Sequence, residues 1–363
     1  DADVESRPSA AMADALALVA PGRPLRLGLE RVLLAKRGAL IAIGDDPTVL
    51  SICTGGFLID GEFSPQRLTE LAKMDGAIIL SADASRIARA NVHLMPNPSV
   101  PTSETGTRHR TAERMARSVD VPVVSVSAAM GVITVYRHDQ RHVLQPAGRL
   151  HDTVSQALQT LQRFRQRFDL AVTGLSALEL EDTVTLRDVA AVLQPADILL
   201  RVARDLEPTF VELGDEGQLL RLQLDELLDG VEPVRALVVR DYLHGEPSPG
   251  DASQSKVVAA LARLSIEEVL DAHRVGVALG LSPAHAELDA SLEPRGYRLL
   301  YRLPRFPDTL VDRIVAHFGG LQKIMRASVG DLEEVEGVGE ARARSVKDGL
   351  ARLAEATILD RYN

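Results

Sequence analysis

The residues best suited to chemistry lie in one polar segment, Pro101-Thr-Ser-Glu-Thr-Gly-Thr-Arg-His-Arg-Thr-Ala-Glu113, which we predict to lead from a loop into a helix that begins near Thr111. Threonine hydroxyls, two guanidinium groups, an imidazole and the free N–H groups of a helix start together favour the binding of phosphate oxygens. An isolated Arg-His-Arg run would instead be interpreted as the solvated start of a helix. The interpretation therefore depends on which other elements join this segment.

Two glycine-containing turns are candidates to join it. Asp75-Gly76 precedes a predicted strand at Ala77–Leu80, and Gly55-Gly56 follows Cys53-Thr54. A glycine at such a position lets a ligand approach the backbone, because a β-carbon would clash there. The chain contains no Gly-x4-Gly-Lys-Ser/Thr loop and no Gly-x-Gly-x-x-Gly at a strand-to-helix turn. The missing Walker residues argue against an ATP-driven motor.

Taken in order, Asp75-Gly-Ala77 and Arg108-His-Arg110 closely resemble the paired motifs of the diadenylate cyclase family. The resemblance extends along Ile79 to Leu94 and Pro101 to Arg114, and with the helical segments that follow it covers nearly the whole chain. It implies that two ATP molecules condense into cyclic di-3′,5′-AMP with release of two pyrophosphates. Since each 3′-hydroxyl must attack the α-phosphorus of the other ATP, two nucleotide sites have to face one another across a symmetry axis.

The resemblance also implies roles for individual residues. Asp75 would hold a Mg²⁺ or Mn²⁺ ion and help to activate the incoming hydroxyl, either through the metal or as a base. Arg108 and Arg110 would stabilise charge on the α-phosphate and the pyrophosphate, while His109 would coordinate the metal or donate a hydrogen bond to phosphate. The residues expected to bind ATP are Gly76, Leu94, Thr107, Arg108, His109, Arg110, Thr111 and Ser127.

Two of these positions lie outside the paired motifs. Leu94 matches a position that the family uses against adenine, and Ser127 lies at the end of a later strand near the triphosphate tail. Some relatives carry charged residues directly after this serine, whereas Ala128-Ala-Met130 follows it here. The resemblance therefore implies an active enzyme with weaker binding of ATP.

The pattern of apolar residues divides the chain. Short β-rich runs alternate with helical stretches and indicate a mixed sheet, with an amphipathic helix at Leu25–Arg37 packed against it; these runs are Gly38–Gly44, Ala77–Leu80, Val121–Val126 and Val132–Tyr136. After Pro146 apolar residues recur at steps of three and four, which predicts a helical middle. Core packing best explains its long amphipathic stretch, with a rigid spacer or an oligomer contact as alternatives.

The last sixty residues contain a further motif. Val335-Glu-Gly-Val-Gly339 lies between two predicted helices, where the glycines permit a tight turn. It resembles the helix-hairpin-helix module of DNA repair and recombination proteins, with Leu303-Pro-Arg-Phe-Pro307 as a degenerate partner. That module points backbone N–H groups at phosphate without reading bases; the alternative is a helical cap whose glycines only make a turn. The residues expected at DNA are Gly337, Val338, Gly339, Arg342, Arg344 and Lys347.

Composition limits where such a protein acts. The 363 residues carry a net charge of −10, and residues 301–363 are balanced with ten basic and ten acidic side chains, so DNA contact needs a local surface. No apolar run approaches the roughly 20 residues that cross a bilayer. The chain has one cysteine, Cys53, in a predicted buried strand at Leu50–Cys53, and its start is unlike a signal peptide. We therefore expect a cytoplasmic, nucleoid-associated protein without a membrane partner.

The sequence thus predicts a multidomain chain of α/β plus all-α class: a mixed-sheet cyclase domain at residues 1–147, a helical spine at 148–300 and a helix-hairpin-helix domain at 301–363. The resemblance implies a homo-octamer of two tetramers joined through their cyclase domains, whose cyclase activity would be suppressed by branched DNA such as recombination junctions. The alternative is a non-catalytic, nucleotide-sensing DNA-binding repair protein.

Overall fold

The computed structural model describes residues 8–245, 252–283, 286–303 and 306–362. The chain forms two compact units. The first, here called the sheet unit, comprises Asp1–Gln156 and Asp205–Leu222; the second, the helical unit, comprises Ala157–Arg204 and Gln223–Asn363. The three domain boundaries expected from the sequence stay a prediction.

The sheet unit contains a mixed sheet of eight strands within the described residues. The strands are β1 (Ala39–Ile43), β2 (Cys53–Thr54), β3 (Phe57–Glu62), β4 (Ala77–Leu80), β5 (Arg86–Leu94), β6 (Val123–Ser127), β7 (Val132–Arg137) and β8 (Gln140–Val143). Their order is β2-β5-β4-β1-β6-β7-β8, with β3 also paired to β5. β1 and β4 are parallel, and the other pairs are antiparallel. The expected mixed sheet is confirmed.

Helices cover both faces of this sheet: α1 (Ala10–Leu18), α2 (Pro24–Leu34), α3 (Pro47–Ser51), α4 (Pro65–Leu71) and α5 (Thr107–Ser118). Every residue of β1 is buried, because Ile41 and Ile43 belong to the core beneath α1, α2 and α4 while Leu40 and Ala42 belong to the core beneath α5. A strand buried on both faces reads as a continuous apolar run, as the sequence does here. The expected amphipathic helix over Leu25–Arg37 is α2.

The rest of the described chain is helical, as expected. Its helices are α6 (Ala147–Glu181), α7 (Leu186–Leu213), a 3₁₀ turn (Gly214–Gly217), α8 (Gln218–Leu228), α9 (Val231–Tyr242), α10 (Ala252–Arg263), α11 (Ile266–Val269), α12 (Ala272–Ala278), α13 (Tyr297–Leu300), α14 (Asp308–Phe318), α15 (Leu321–Arg326), α16 (Val329–Glu333) and α17 (Glu340–Tyr362). Within the parts of the chain that are described, no helix is both long and apolar enough to span a bilayer.

The C-terminal helices share one apolar core. Leu310, Ile314 and Val315 of α14 pack there with residues of α15, α16 and α17. α14 ends at Gly319, which adopts a φ of 75° as a left-handed helix stop. Residues 304 and 305, in the expected degenerate hairpin, lie outside the described residues.

Two local predictions were wrong. Of the predicted strand at Leu50–Cys53, only Cys53 lies in a strand, β2, while Leu50 and Ser51 belong to α3. Asp46 caps this helix, which starts at Pro47: its carboxylate accepts hydrogen bonds from Thr48 N and Val49 N. Cys53 is half-buried, and burial raises the pKa of its thiol. The helix expected near Thr111 begins four residues earlier, at Thr107.

Candidate active site

The strand registers bring several predicted site residues to one edge of the sheet. β1 and β4 run parallel with Leu40 opposite Ala77, so Gly38 and Asp75, each two residues earlier, enter the sheet at the same edge. β6 runs antiparallel to β1 and therefore ends at this edge with Ser127. We call this place the sheet edge.

β5 also ends at the sheet edge and fixes the backbone of Asp75-Gly76. It runs antiparallel to β4, and Asn91, with a φ of 53°, donates from Nδ2 to the carbonyl of Asp75 at 2.7 Å. Gly76 has a φ of 95°, and a Cβ there would lie 2.8 Å from the carbonyl oxygen of Val92. The neighbouring strand by itself therefore requires glycine at this position. β2 pairs Cys53 with Leu94, so Gly55-Gly56, which follows β2, also lies beside the end of β5.

α5 begins with the Arg-His-Arg run. Gly106 precedes the helix with a φ of 88°, which lets the chain turn directly into it. Thr107 is the first helical residue, and Thr111 donates from Oγ1 to its carbonyl at 2.9 Å. Arg108, His109 and Arg110 therefore occupy the first turn, where free backbone N–H groups favour an anion.

The guanidinium of Arg108 lies over Gly38. A Cβ placed on Gly38 would come within 2.7 Å of Arg108 Cζ. Gly38 therefore leaves the space that this side chain occupies, and it brings the first turn of α5 to the sheet edge. From the sequence, Gly38 is predicted only as the start of a strand, since nothing in the local pattern indicates a long-range neighbour.

His109 faces the interior. Its side chain is buried, and Nδ1 lies 2.9 Å from Tyr136 Oη of β7. Tyr136 donates to Glu104 Oε1 at 2.9 Å, and Arg141 Nη1 donates to the same oxygen at 3.0 Å. Burial, reinforced by the hydrogen bond to Glu104, raises the pKa of Tyr136 well above its ordinary value. Tyr136 was missed as a site residue because its position next to His109 depends on the packing of α5 against β7.

The other predicted residues differ in exposure. Asp75 and Arg110 are exposed, and Arg110 Nε donates to the carbonyl of Glu104 at 3.3 Å. Ser127 is half-buried, and its Oγ accepts from Met130 N at 3.3 Å in a turn without charged side chains. Leu94 is buried in the core beneath α5, so a contact with adenine would go through its backbone.

Glu113 organises the loop before α5. Its carboxylate accepts hydrogen bonds from Ser103 N at 3.0 Å and Ser103 Oγ at 3.2 Å, and also from Thr102 Oγ1. Arg117 pairs with it at 3.0 Å. Burial alone would raise the pKa of Glu113, but the hydrogen bonds and Arg117 outweigh burial and hold that pKa below its ordinary value. Glu113 thus fixes the loop that carries Glu104.

A divalent metal would have few protein ligands here. Among the described residues, no group of three or more His, Cys, Asp or Glu side chains could hold a metal ion. In phosphoryl-transfer sites, Mg²⁺ is bound by one or two carboxylates together with substrate phosphates and water. The exposed carboxylate of Asp75 fits a metal shared with a substrate, whereas the described residues offer no closed protein cage.

The predicted DNA contacts lie in the turn between α16 and α17 and in the first turns of α17. Gly337 has a φ of 89°, and its carbonyl accepts from Arg342 Nη1 at 2.8 Å. Arg344 pairs with Glu340, Lys347 Nζ donates to the carbonyl of Met325 at 2.7 Å, and Val338 is buried in the core. The structure thus contains the expected tight turn between helices.

Comparison with known proteins finds two family models that match consecutive segments of the chain. Residues 26–141 match the family model described as "DisA bacterial checkpoint controller nucleotide-binding", and residues 144–288 match "DisA bacterial checkpoint controller linker region". The DNA integrity scanning protein DisA of Streptomyces coelicolor is 52% identical to this chain, over 97% of this chain and 94% of its own length. The chain belongs to the DisA family of diadenylate cyclases. The DisA protein of Kineococcus radiotolerans is 50% identical over 98% of each chain.

The match to the DisA nucleotide-binding model includes the whole sheet edge, from Gly38 to Ser127. Among solved structures, that of a double mutant of DacA from Staphylococcus aureus shares 24% identity with a TM-score of 0.29, covering 36% of this chain and 86% of that one. At that score the comparison adds nothing to the fold described above.

Proposed function

We propose that this DisA-family chain condenses two ATP molecules into cyclic di-AMP and two pyrophosphates, at a site completed by a second copy of the chain. The observation that carries the proposal is the meeting of Asp75, Ser127 and the first turn of α5 at the sheet edge, with Arg108 lying over Gly38. An exposed carboxylate, a guanidinium and free helix N–H groups at one place suit a nucleoside triphosphate.

The residues divide the chemistry between them. The N–H groups of α5, with Arg108 and Arg110, bind phosphate oxygens and stabilise the charge that develops as pyrophosphate departs. Asp75 would lie next to the incoming 3′-hydroxyl, where its carboxylate orients the hydroxyl and helps to activate it, either as a base or by holding a metal ion. Asp75 and His109 are the residues that would hold Mg²⁺ or Mn²⁺, and the ion would supply positive charge beside the phosphates.

A single site is insufficient for this reaction. One sheet edge holds one triphosphate, and the attacking hydroxyl must come from a second ATP held in line with the leaving group. Two copies related by a two-fold axis satisfy this requirement. Together with a second kind of contact that forms tetramers, these two-fold contacts would join two tetramers through their cyclase domains into the homo-octamer that we propose.

DNA binding is proposed for the turn between α16 and α17. The first turn of α17 leaves free backbone N–H groups next to this turn, and Arg342 and Arg344 lie in the first two turns of that helix. Such a surface contacts phosphates without reading bases. Branched DNA would then alter cyclase activity only if it favours one arrangement of the facing sites over another.

The decisive experiment is incubation with ATP and either Mg²⁺ or Mn²⁺, followed by mass analysis of the nucleotide products. We expect cyclic di-AMP from the unmutated chain and none from Asp75→Asn, with ATP binding retained. Asp152→Asn, which changes an exposed aspartate of α6, is the matched control and should form product normally. Absence of product from the unmutated chain with both metals would support the nucleotide-sensing alternative.

A further inference from the structure

Three side chains behind the sheet edge form a continuous hydrogen-bonded chain, here called the relay: Glu104, Tyr136 and His109. Tyr136 Oη lies 2.9 Å from Glu104 Oε1 on one side and 2.9 Å from His109 Nδ1 on the other. The rings of His109 and Tyr136 meet edge-on with centroids 6.4 Å apart. Each contact is within the usual range for a hydrogen bond.

The direction of these hydrogen bonds follows from counting protons. Glu104 Oε1 accepts from Arg141 Nη1 at 3.0 Å, and a carboxylate in this role offers only acceptor atoms to Tyr136. Tyr136 has one hydroxyl proton, which it therefore donates to Glu104. Its oxygen can then only accept from the imidazole, so the proton between them belongs to Nδ1 of His109.

We propose that Glu104 and Tyr136 are positioning residues that hold the proton of the neutral His109 ring on Nδ1, leaving Nε2 as the nitrogen with a free lone pair. Nε2 makes no hydrogen bond to any other described residue. This inference rests on the proposed role of His109 in the cyclase site. It also selects between two roles that the sequence leaves open: the neutral ring offers an acceptor or a metal ligand at Nε2, whereas a hydrogen bond to phosphate would need an N–H there.

The tautomer can be observed without any turnover. The full chain is labelled with ¹⁵N-histidine and measured by solid-state NMR at about two pH units above the ordinary histidine pKa of about 6.5. The signal of His109 is identified by its loss in His109→Gln. We expect a protonated Nδ1 in the unmutated chain, and transfer of the proton to Nε2 in Tyr136→Phe, which removes the hydroxyl and keeps the ring.

Tyr242→Phe is the matched control for this variant. Tyr242 is also buried and also donates to a buried glutamate, with its Oη 2.8 Å from Glu179 Oε1, but it belongs to the helical unit. Both variants lose one tyrosine–glutamate hydrogen bond. Tyr136→Phe should lower kcat by roughly 10- to 100-fold with little change in KM, as is found for partners that orient a functional histidine. Tyr242→Phe should change neither the signal of His109 nor kcat.

The outcomes separate this inference from the proposed function. A proton on Nε2 of His109 in the unmutated chain, or an unchanged tautomer in Tyr136→Phe, overturns the relay even if cyclic di-AMP is formed. A shifted tautomer with unchanged kcat overturns its positioning role. If the unmutated chain forms no cyclic dinucleotide but His109 is protonated on Nδ1 until the hydroxyl is removed, the proposed function fails and the tautomer assignment stands.

Discussion

Two helix starts in this chain have the same ingredients for binding phosphate. At the sheet edge, Gly106 precedes α5, whose first turn carries Arg108 and Arg110. In the helical unit, Gly339 precedes α17, whose first turns carry Arg342 and Arg344. A glycine, free N–H groups and two arginines are common to both, so the sequence pattern alone does not distinguish their ligands.

The two sites differ in what their cations already contact. Arg108 makes no hydrogen bond or ion pair with any described residue, and its guanidinium is placed by the space over Gly38. By contrast, Arg342 donates to the carbonyl of Gly337 at 2.8 Å and Arg344 pairs with Glu340. A ligand at α17 must displace interactions that already exist, whereas a ligand at α5 meets a positioned, available charge. A preorganised charge of this kind favours catalysis, whereas a charge that already has partners within the protein favours weak, adjustable binding.

Removal of the positioned charge should have the largest effect. Arg108→Ala is expected to lower turnover by about 100-fold or more, the usual loss when a group that stabilises developing charge is removed. Steady-state formation of cyclic di-AMP measures it. Arg31→Ala, an exposed arginine of α2, is the control. A loss confined to KM would show that Arg108 binds ATP equally in the ground and transition states, and would contradict the role assigned to it.

A displaced charge should have a smaller effect than a removed one. Gly38→Ala puts a methyl group where the guanidinium of Arg108 lies, and the three atoms nearest to it all belong to that side chain. The backbone of Gly38 is outside the left-handed region, so the substitution mainly displaces the side chain of Arg108. We expect turnover to fall about tenfold through misplacement, with the free energy of unfolding changed by less than about 0.5 kcal/mol. Turnover and chemical denaturation of the same preparation test both.

The interaction between these two substitutions is the sharper test. Gly38→Ala should have no further effect on turnover in an Arg108→Ala background, because the group that it displaces is gone. Gly148→Ala provides a glycine in α6 with open space around it as a control. Additive losses would mean that Gly38 acts on the site by some route other than Arg108.

The elements of the sheet unit show which features the sequence can predict and which it cannot. The apolar run of β1, the turn at Asp75-Gly76 and the tight turn at Val335–Gly339 depend on residues that are neighbours in the sequence, and they were predicted. β5 was not, since alanine, arginine and asparagine are poor strand formers and this strand depends on pairing with β4 and with β2 and β3.

The neighbours of the site residues likewise depend on contacts between parts of the chain that are distant in sequence. Gly38 lies 70 positions from Arg108, and Tyr136 contacts His109 through the packing of α5 on β7. The motifs identify which residues belong to the site. The contacts that position these residues follow from the register of the strands, which cannot be derived from a motif.

The loop before α5 is the next part of the preorganised site to test. Glu113→Gln weakens the hydrogen bonds that hold Ser103 and loses the ion pair with Arg117, so we expect a loss of about 2 kcal/mol in the free energy of unfolding at pH 7. The pKa of Glu113 is lowered in the folded chain from an ordinary 4.5. Its ionised form therefore contributes stability above about pH 4.5 that is lost as the pH falls through the folded pKa.

Thermal unfolding measured as a function of pH tests whether the ionised form of Glu113 is the stabilising one. The difference in Tm between the unmutated chain and Glu113→Gln should be constant near pH 7 and should narrow below pH 4.5. Glu70→Gln removes an exposed pair with Lys73 and should shift stability by no more than about 0.5 kcal/mol. A difference in Tm that widens in acid would contradict the role of the ionised carboxylate.

The smallest effect is expected where the charge is already engaged. Arg342→Ala should weaken binding of a DNA junction by only about threefold at low salt, and should reduce the slope of log affinity against log salt concentration by about one. Fluorescence anisotropy with labelled junctions of different sequence measures both quantities. The loss should be the same for every sequence, because phosphate contacts carry no base readout.

Arg352→Ala, further along α17, is the control for that measurement. Its affinity and salt slope should match those of the unmutated chain. A large, sequence-dependent loss in Arg342→Ala would mean that this arginine reads bases. It would then be a positioned contact like Arg108, and the hydrogen bond to Gly337 would serve to aim the guanidinium rather than compete with its ligand.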